Sequence, residues 1–100
     1  MSEGISAKTK NSKQDVLLRE YCETRDLELR NRLVHEYLYI AEIIAKKFVN
    51  RGVEYDDLFQ VASLALIKAL ERYDINKGYK FSSFATPTII GEIKNYFRDR

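Results

Sequence analysis

Apolar residues recur along this chain at intervals of three and four, the spacing that gathers side chains onto one side of an α-helix. Val16, Leu17 and Tyr21 carry the pattern first, and Ser12 stands ahead of them as a cap, so a helix is expected over QDVLLREYCE. The stretch from Thr24 to Glu28 can cap and start a second, longer helix. Its apolar positions are Leu33, Val34, Tyr37, Leu38, Ala41, Ile44, Ala45 and Phe48, and Arg51-Gly52 supplies its stop. A third helix is expected from Tyr55 to Tyr73. Its run LFQVASLALIKAL is apolar nearly all round, broken only by Gln60, Ser63 and Lys68, and a helix of that kind is either central or covered by a partner. DINKGYK then makes a turn around Asn76 to Gly78, and a last helix lies within SSFATPTIIGEIKNYFRDR. Pro87 lacks an amide donor and suits only the first turn of a helix. Either Thr86 caps a helix with Pro87 at its first position, or the helix starts at Ser82 and kinks; the Thr86 start is the one expected. No segment alternates with the period of two that a half-buried strand needs. The pattern predicts an all-α fold, a compact bundle of about four helices.

Residues 1–11 show no periodicity and are expected to form a flexible tail, which leaves 12–100 as one helical domain. A hundred residues at 45% hydrophobic content support one modest core. The lone Cys22 has no internal disulfide partner, and no ligand set surrounds it or the single histidine, His35. No metal or cofactor is expected, and a reducing cytoplasm fits. The N-terminus lacks the apolar core of a secretory signal, and the longest apolar stretch, Leu58 to Leu70, is too short to cross a bilayer, so a soluble protein with no membrane partner is expected. The net charge of +2 says little by itself. Its distribution says more: from Arg72 to Arg100 six Lys/Arg stand against three Asp/Glu, so the basic excess belongs to the last third of the chain.

The enzymatic motifs fail. His35 and Glu36 are helical neighbours that point in different directions, so they form no acid–base pair. Asp56 and Asp57 fall in the first turn of a helix, where carboxylates meet the positive end of the dipole. No Gly-rich phosphate loop or nucleophile elbow is present, and no enzyme is expected. What stands out is RYDINKGYKFSSF. Tyr73, Tyr79, Phe81 and Phe84 interleave there with Arg72, Lys77, Lys80 and the hydroxyls of Ser82 and Ser83. Aromatic faces stack on exposed bases, worth roughly 1–3 kcal/mol per base, while cations follow the phosphates. The plainer reading is that these rings fill the core between the last two helices, Phe81 and Phe84 foremost.

EYDDLFQVASLALIK, followed by ALERYD and then KGYKFSSFA, resembles region 2 of sigma-70-type RNA polymerase sigma factors. That family's pattern is Asp-Leu-x-Gln, a Gly-Leu-x-Lys-Ala helix, an aromatic-Asp pair, and Gly-x-Lys-Phe-Ser-Thr-Tyr-Ala. The closing PTIIGEIKNYFRD resembles its general-stress and sporulation branch, and the likeness runs from about Lys13 to the end. It implies that the Asp57-to-Ile67 helix docks on the clamp helices of the largest subunit of core RNA polymerase, through Asp57, Gln60, Ser63 and Ile67. It implies that Tyr73 and Tyr79 hold a flipped adenine of the promoter −10 element on the nontemplate strand, with Lys77 and Lys80 on the backbone and Phe81, Ser83 and Phe84 completing the melting motif. The last helix, with Gly91, Lys94, Asn95 and Arg98, matches the part that reads the upstream edge of that element.

The chain departs from the family pattern in several places. Family glycines of the docking helix are Ala62 and Ala65, the tandem tryptophans of housekeeping members are Pro87-Thr88, and the motif's threonine and tyrosine are Ser83 and Phe84. A second helix-turn-helix domain does not follow Arg100, so a truncated chain lacking regions 3 and 4 is expected. Resemblance also implies an anti-sigma factor that covers the docking helix. Two other functions compete: a helical protein-interaction module, for which the aromatics serve only an adaptor or anti-sigma partner, and a helix-turn-helix reader of duplex DNA. Preference for the nontemplate single strand separates the sigma reading from the duplex reader.

Overall fold

In a computed structural model, residues 15–99 are described; the expected tail and the Ser12 cap lie outside them. Helix α1 covers residues 15–24, α2 is Leu27–Lys47, α3 is Tyr55–Arg72 and α4 is Phe81–Arg98, with a single 3-10 turn, Ile75–Lys77, between α3 and α4. No strand occurs among the described residues. The all-α expectation is met.

Local chemistry explains the boundaries. Asp26 caps α2, its carboxylate accepting from the Leu29 amide at 3.0 Å, which satisfies one of the amides that a helix start leaves free. Lys46 and Lys47 occupy its last turn, where cations meet the negative end of the dipole. Helix α2 stops at Lys47, ahead of the Arg51-Gly52 stop expected from sequence, with Phe48 as its C-cap. Asp56 and Asp57 fill the first turn of α3, the complementary arrangement. Asp74 caps the short turn through the Asn76 amide at 3.0 Å, and Gly78 ends it with a φ of 86°, a left-handed conformation that costs glycine little.

Helix α3 is the central element and packs along both α2 and α4. Its inner stripe is Leu58, Ala62, Ala65, Leu66, Ala69 and Leu70, against Leu33, Tyr37, Ile40, Ala41, Ile44 and Ala45 of α2. The alanines let the helices approach closely while the leucines fill the seam, each fully buried leucine contributing about 1.5–3 kcal/mol. Leu18 and Tyr21 close α1 onto the same core.

The start of α4 corrects the sequence reading. The helix begins at Phe81, not after Thr86, and carries Pro87 in its interior. Phe81, Ala85, Ile89 and Ile93, spaced by four, are all buried, whereas Pro87 and Ser83 are exposed. The proline therefore deprives only the outward Ser83 carbonyl of its amide, where water can replace it. The flanking threonines turn their hydroxyls back onto the helix, Thr86 Oγ1 donating to the Ser82 carbonyl at 2.9 Å and Thr88 Oγ1 to the Phe84 carbonyl at 3.0 Å. Burial of the first-turn phenylalanine outweighs one missing hydrogen bond.

Candidate functional site

The aromatic run divides differently from expectation. Tyr73 is 3% exposed and Phe81 2%. Their rings meet edge to face at 5.3 Å, and Tyr37 packs on Phe81 from α2 at 4.7 Å. The Tyr73 hydroxyl donates to the Tyr79 carbonyl at 2.6 Å, holding the turn against the end of α3. Burial raises the Tyr73 phenol above its ordinary pKa, so it stays a neutral donor. Tyr73 thus presents no ring face to solvent, contrary to its expected stacking role; it lies four residues beyond Ala69 and continues the inner stripe of α3. Phe84, expected in the core, is only half-buried.

Tyr79 and Phe84 form the open pair. Their rings stack at 5.7 Å with 22° between planes, and Tyr79 is 39% exposed. With Ser83, Pro87 and Thr88 they line an apolar cavity of about 390 Å³ that opens to solvent. Such a recess accepts a planar ring against the aromatic faces. Lys77 and Lys80 are exposed in the same turn. Along α4 the outward side continues through Gly91, Lys94 and Arg98, all exposed, and a Cβ placed on Gly91 would meet nothing within 4 Å. Asn95, exposed one turn on from Gly91, also lines a groove of about 290 Å³ between α3 and α4 with Val61, Leu64 and Tyr96.

A second, more polar cavity of about 230 Å³ lies on the other side of Lys80, lined by Tyr37, Tyr39 and Ser82 among others. Burial, with Tyr39 and Asp15 nearby, pushes the Tyr37 phenol up to about 12. Neither tyrosine is a site residue by sequence reasoning, because Tyr37 reads there simply as a member of the α2 core stripe.

The outward face of α3 carries Asp57 and Gln60, both exposed, and between Gln60 and Lys68 stands Leu64, 61% exposed. Ile67 is half-buried at its edge. Ser63 is half-buried beside them, its hydroxyl enclosed and without a hydrogen-bond partner among the described residues. Leu64 was missed as an individual residue, although the all-round apolar run already placed an unburied hydrophobic side on this helix. Lys68 reaches Glu92 of α4 at 3.4 Å and ties the two helices together beside the groove.

Residues 33–100, more than half of the chain, match the family model described as Sigma-70 region 2. The chain belongs to the sigma-70 family. This sigma region is 39% identical over 90 residues to the RNA polymerase sigma-G factor of Bacillus subtilis, covering 90% of the chain and 35% of that protein. It is 46% identical over 70 residues to the RNA polymerase sigma factor SigF of Mycobacterium tuberculosis, covering 70% and 27% respectively. Similarity to the RNA polymerase sigma-B factor of Bacillus anthracis is 39% over 97 residues, covering 95% and 38%. The chain thus spans about a third of the length of these relatives, whose names are those of the sporulation and stress branch expected from PTIIGEIKNYFRD.

Proposed function

We propose that this sigma region 2 docks on core RNA polymerase and captures the promoter −10 element as unpaired nontemplate DNA. The observation that carries the reading is the open Tyr79–Phe84 stack over an apolar cavity, flanked by exposed Lys77 and Lys80. Extruding a base from duplex costs a few kcal/mol, and stacking in the cavity returns roughly 1–3 kcal/mol. The lysines neutralise adjacent phosphates. Base capture by binding energy alone needs neither ATP nor a catalytic residue, and sigma factors are in general initiation factors, not enzymes.

In this reading the captured adenine lies on Phe84 and Tyr79, while Tyr73 and Phe81 act from beneath by fixing the turn. Lys94 and Arg98 follow the backbone at the upstream edge, and Gly91 permits close approach between them and the cavity. Pro87-Thr88 forms a low wall where housekeeping members carry a tryptophan wedge, so melting is weaker and promoter choice stricter. Asp57, Gln60 and Leu64 meet the clamp helices of the polymerase largest subunit, apolar packing being framed by polar anchors. An anti-sigma factor competes for that same face. The setting is the bacterial cytoplasm.

Binding to a fluorescent nontemplate −10 oligonucleotide, alongside one with the key adenine replaced, tests the proposal across a salt series. A preference for the intact sequence that Tyr79→Ala removes is expected, with the salt slope counting phosphate contacts. Binding indifferent to both changes would sink it.

A further inference from the structure

Three rings at the aromatic site lean on one another. Tyr73 and Tyr79 meet edge to face with centroids 5.9 Å apart, Tyr73 and Phe84 stand at 6.0 Å, and Tyr79 and Phe84 lie nearly parallel at 5.7 Å. Tyr79 itself therefore covers part of the Phe84 face. Carbon atoms in contact stay about 3.5–4.0 Å apart, so a base clasped on both faces holds its flanking rings roughly 7 Å or more from each other. The spacing of the free pair is too small for that. The recess bounded by Ser83, Pro87 and Thr88 brings a base to the edge of the pair, and Tyr79 must lift before the base passes between the rings.

Swinging the tyrosine side chain outward would uncover Phe84 but leave the base with one aromatic face. Lifting the backbone keeps both faces, and the turn is built for that motion. Asn76 to Lys80 are all exposed. Gly78 ends the 3-10 turn with a φ of 86°, and a Cβ placed there would meet nothing within 4 Å, so no neighbour packs against the point of flexure. Glycine moves through backbone conformations closed to other residues. Lys80, the N-cap of α4, makes no side-chain cap bond that would anchor the far side of the turn. Among the described residues one hydrogen bond holds Tyr79, the 2.6 Å bond from the Tyr73 hydroxyl to its carbonyl. The donor belongs to the core: the Tyr73 ring is buried edge to face against Phe81.

We propose that Tyr79 is a lid on its own site, held down in the free protein by the Tyr73 hydroxyl and lifted about Gly78 when an unpaired base slides between its ring and Phe84. The inference rests on the base-capture reading and deepens it. Capture is an exchange: the Tyr79–Phe84 contact and the Tyr73–Tyr79 hydrogen bond are given up, and two ring–base contacts are made. Tyr73 is then a positioning residue that favours the closed turn and opposes capture. Lid motions take microseconds to milliseconds, so opening sets an upper limit on the rate at which a base enters.

Rapid mixing of the whole chain with the fluorescent −10 oligonucleotide tests the lid. The adenine-dependent phase, identified by its loss when that base is replaced, is expected to level off as protein concentration rises, its plateau being the opening rate. Tyr73→Phe keeps the ring in the core and removes only the latch. Its plateau should rise severalfold, and affinity should rise with it, because a hydrogen bond is no longer lost on capture. A purely structural Tyr73 predicts the opposite sign, since loosening the turn would then weaken the site. Tyr79→Ala should abolish the plateau and admit the base faster, yet release it faster still. A rate that never levels off, a plateau or affinity that Tyr73→Phe fails to raise, or a plateau that survives Tyr79→Ala would overturn the lid while base capture stands. Binding without preference for the adenine, or no binding, would overturn base capture, and the lid with it.

Discussion

At the scale of single residues, the aromatic run shows that composition alone does not say which ring meets solvent. Tyr73 and Tyr79 look alike in the sequence, yet one is buried on α3 and the other is open beside Phe84. Their truncations should therefore separate two roles. Tyr79→Ala is expected to cost roughly 1–3 kcal/mol of single-strand binding with little change in the thermal midpoint. Tyr73→Ala should instead destabilise the fold by about 3–5 kcal/mol, the range for large aromatic truncations, as read by denaturant titration. Tyr73 was legible as core from its place four residues after Ala69 and seven after Leu66, because the α3 period runs on to the end of the helix. What overrode that signal was the family resemblance, which sets Tyr73 beside Tyr79 at the flipped base. The status of Phe84 was not legible, since it depends on how the turn at Gly78 folds Tyr79 over it. Tyr37 adds a pH prediction of determinate sign. Its folded pKa of about 12 lies above the ordinary 10.0, so its contribution to stability is complete below pH 10.0 and is lost as pH rises towards about 12. Tyr37→Phe should shift the alkaline unfolding midpoint upward. A midpoint that stays in place would show that this phenol is not what alkali ionises.

Among the elements, α2 and α3 were readable because long amphipathic helices repeat their signal many times, and their observed inner stripes are the three-and-four spacings of the sequence. Helix α4 was misread because a local rule about proline outweighed a longer-range pattern. Phe81, Ala85, Ile89 and Ile93 repeat by four straight past Pro87, and the proline lies on the opposite, wet side. That arrangement predicts the effect of removing it. Pro87→Ala returns an amide to the Ser83 carbonyl and relieves the ring's crowding of the preceding turn, so stability should rise by about 1–3 kcal/mol. For a domain of this size the melting midpoint would climb by several degrees. An unchanged or lower midpoint would mean that the first turn of α4 is not helical in solution, and the Thr86 start would regain its standing. The same substitution lowers one wall of the aromatic recess, so higher stability should come with somewhat weaker oligonucleotide binding. That pairing would mark Pro87 as a residue of the recess and not of the fold.

For the molecule as a whole, the central position of α3 couples two tasks that need not interfere. Its inner side, with Tyr73 at its end, supports the aromatic turn, while its outer side carries Asp57, Gln60 and Leu64. The recess at Tyr79 and the groove at Leu64 share no lining residue. If the outer side is the polymerase contact, Leu64→Glu should reduce affinity for a clamp-helix fragment by about 2 kcal/mol or more, the usual effect at a central apolar anchor. The fold should tolerate the change within about 0.5 kcal/mol, because the position is largely exposed. Oligonucleotide binding should be untouched. Tyr79→Ala should behave in the opposite way, keeping the clamp-helix fragment and losing the base. Combined in one chain, the two losses should add, as substitutions without shared partners do. Non-additive losses would instead reveal that α3 carries strain from one surface to the other, so that docking on the polymerase itself tunes how firmly the turn holds an unpaired base.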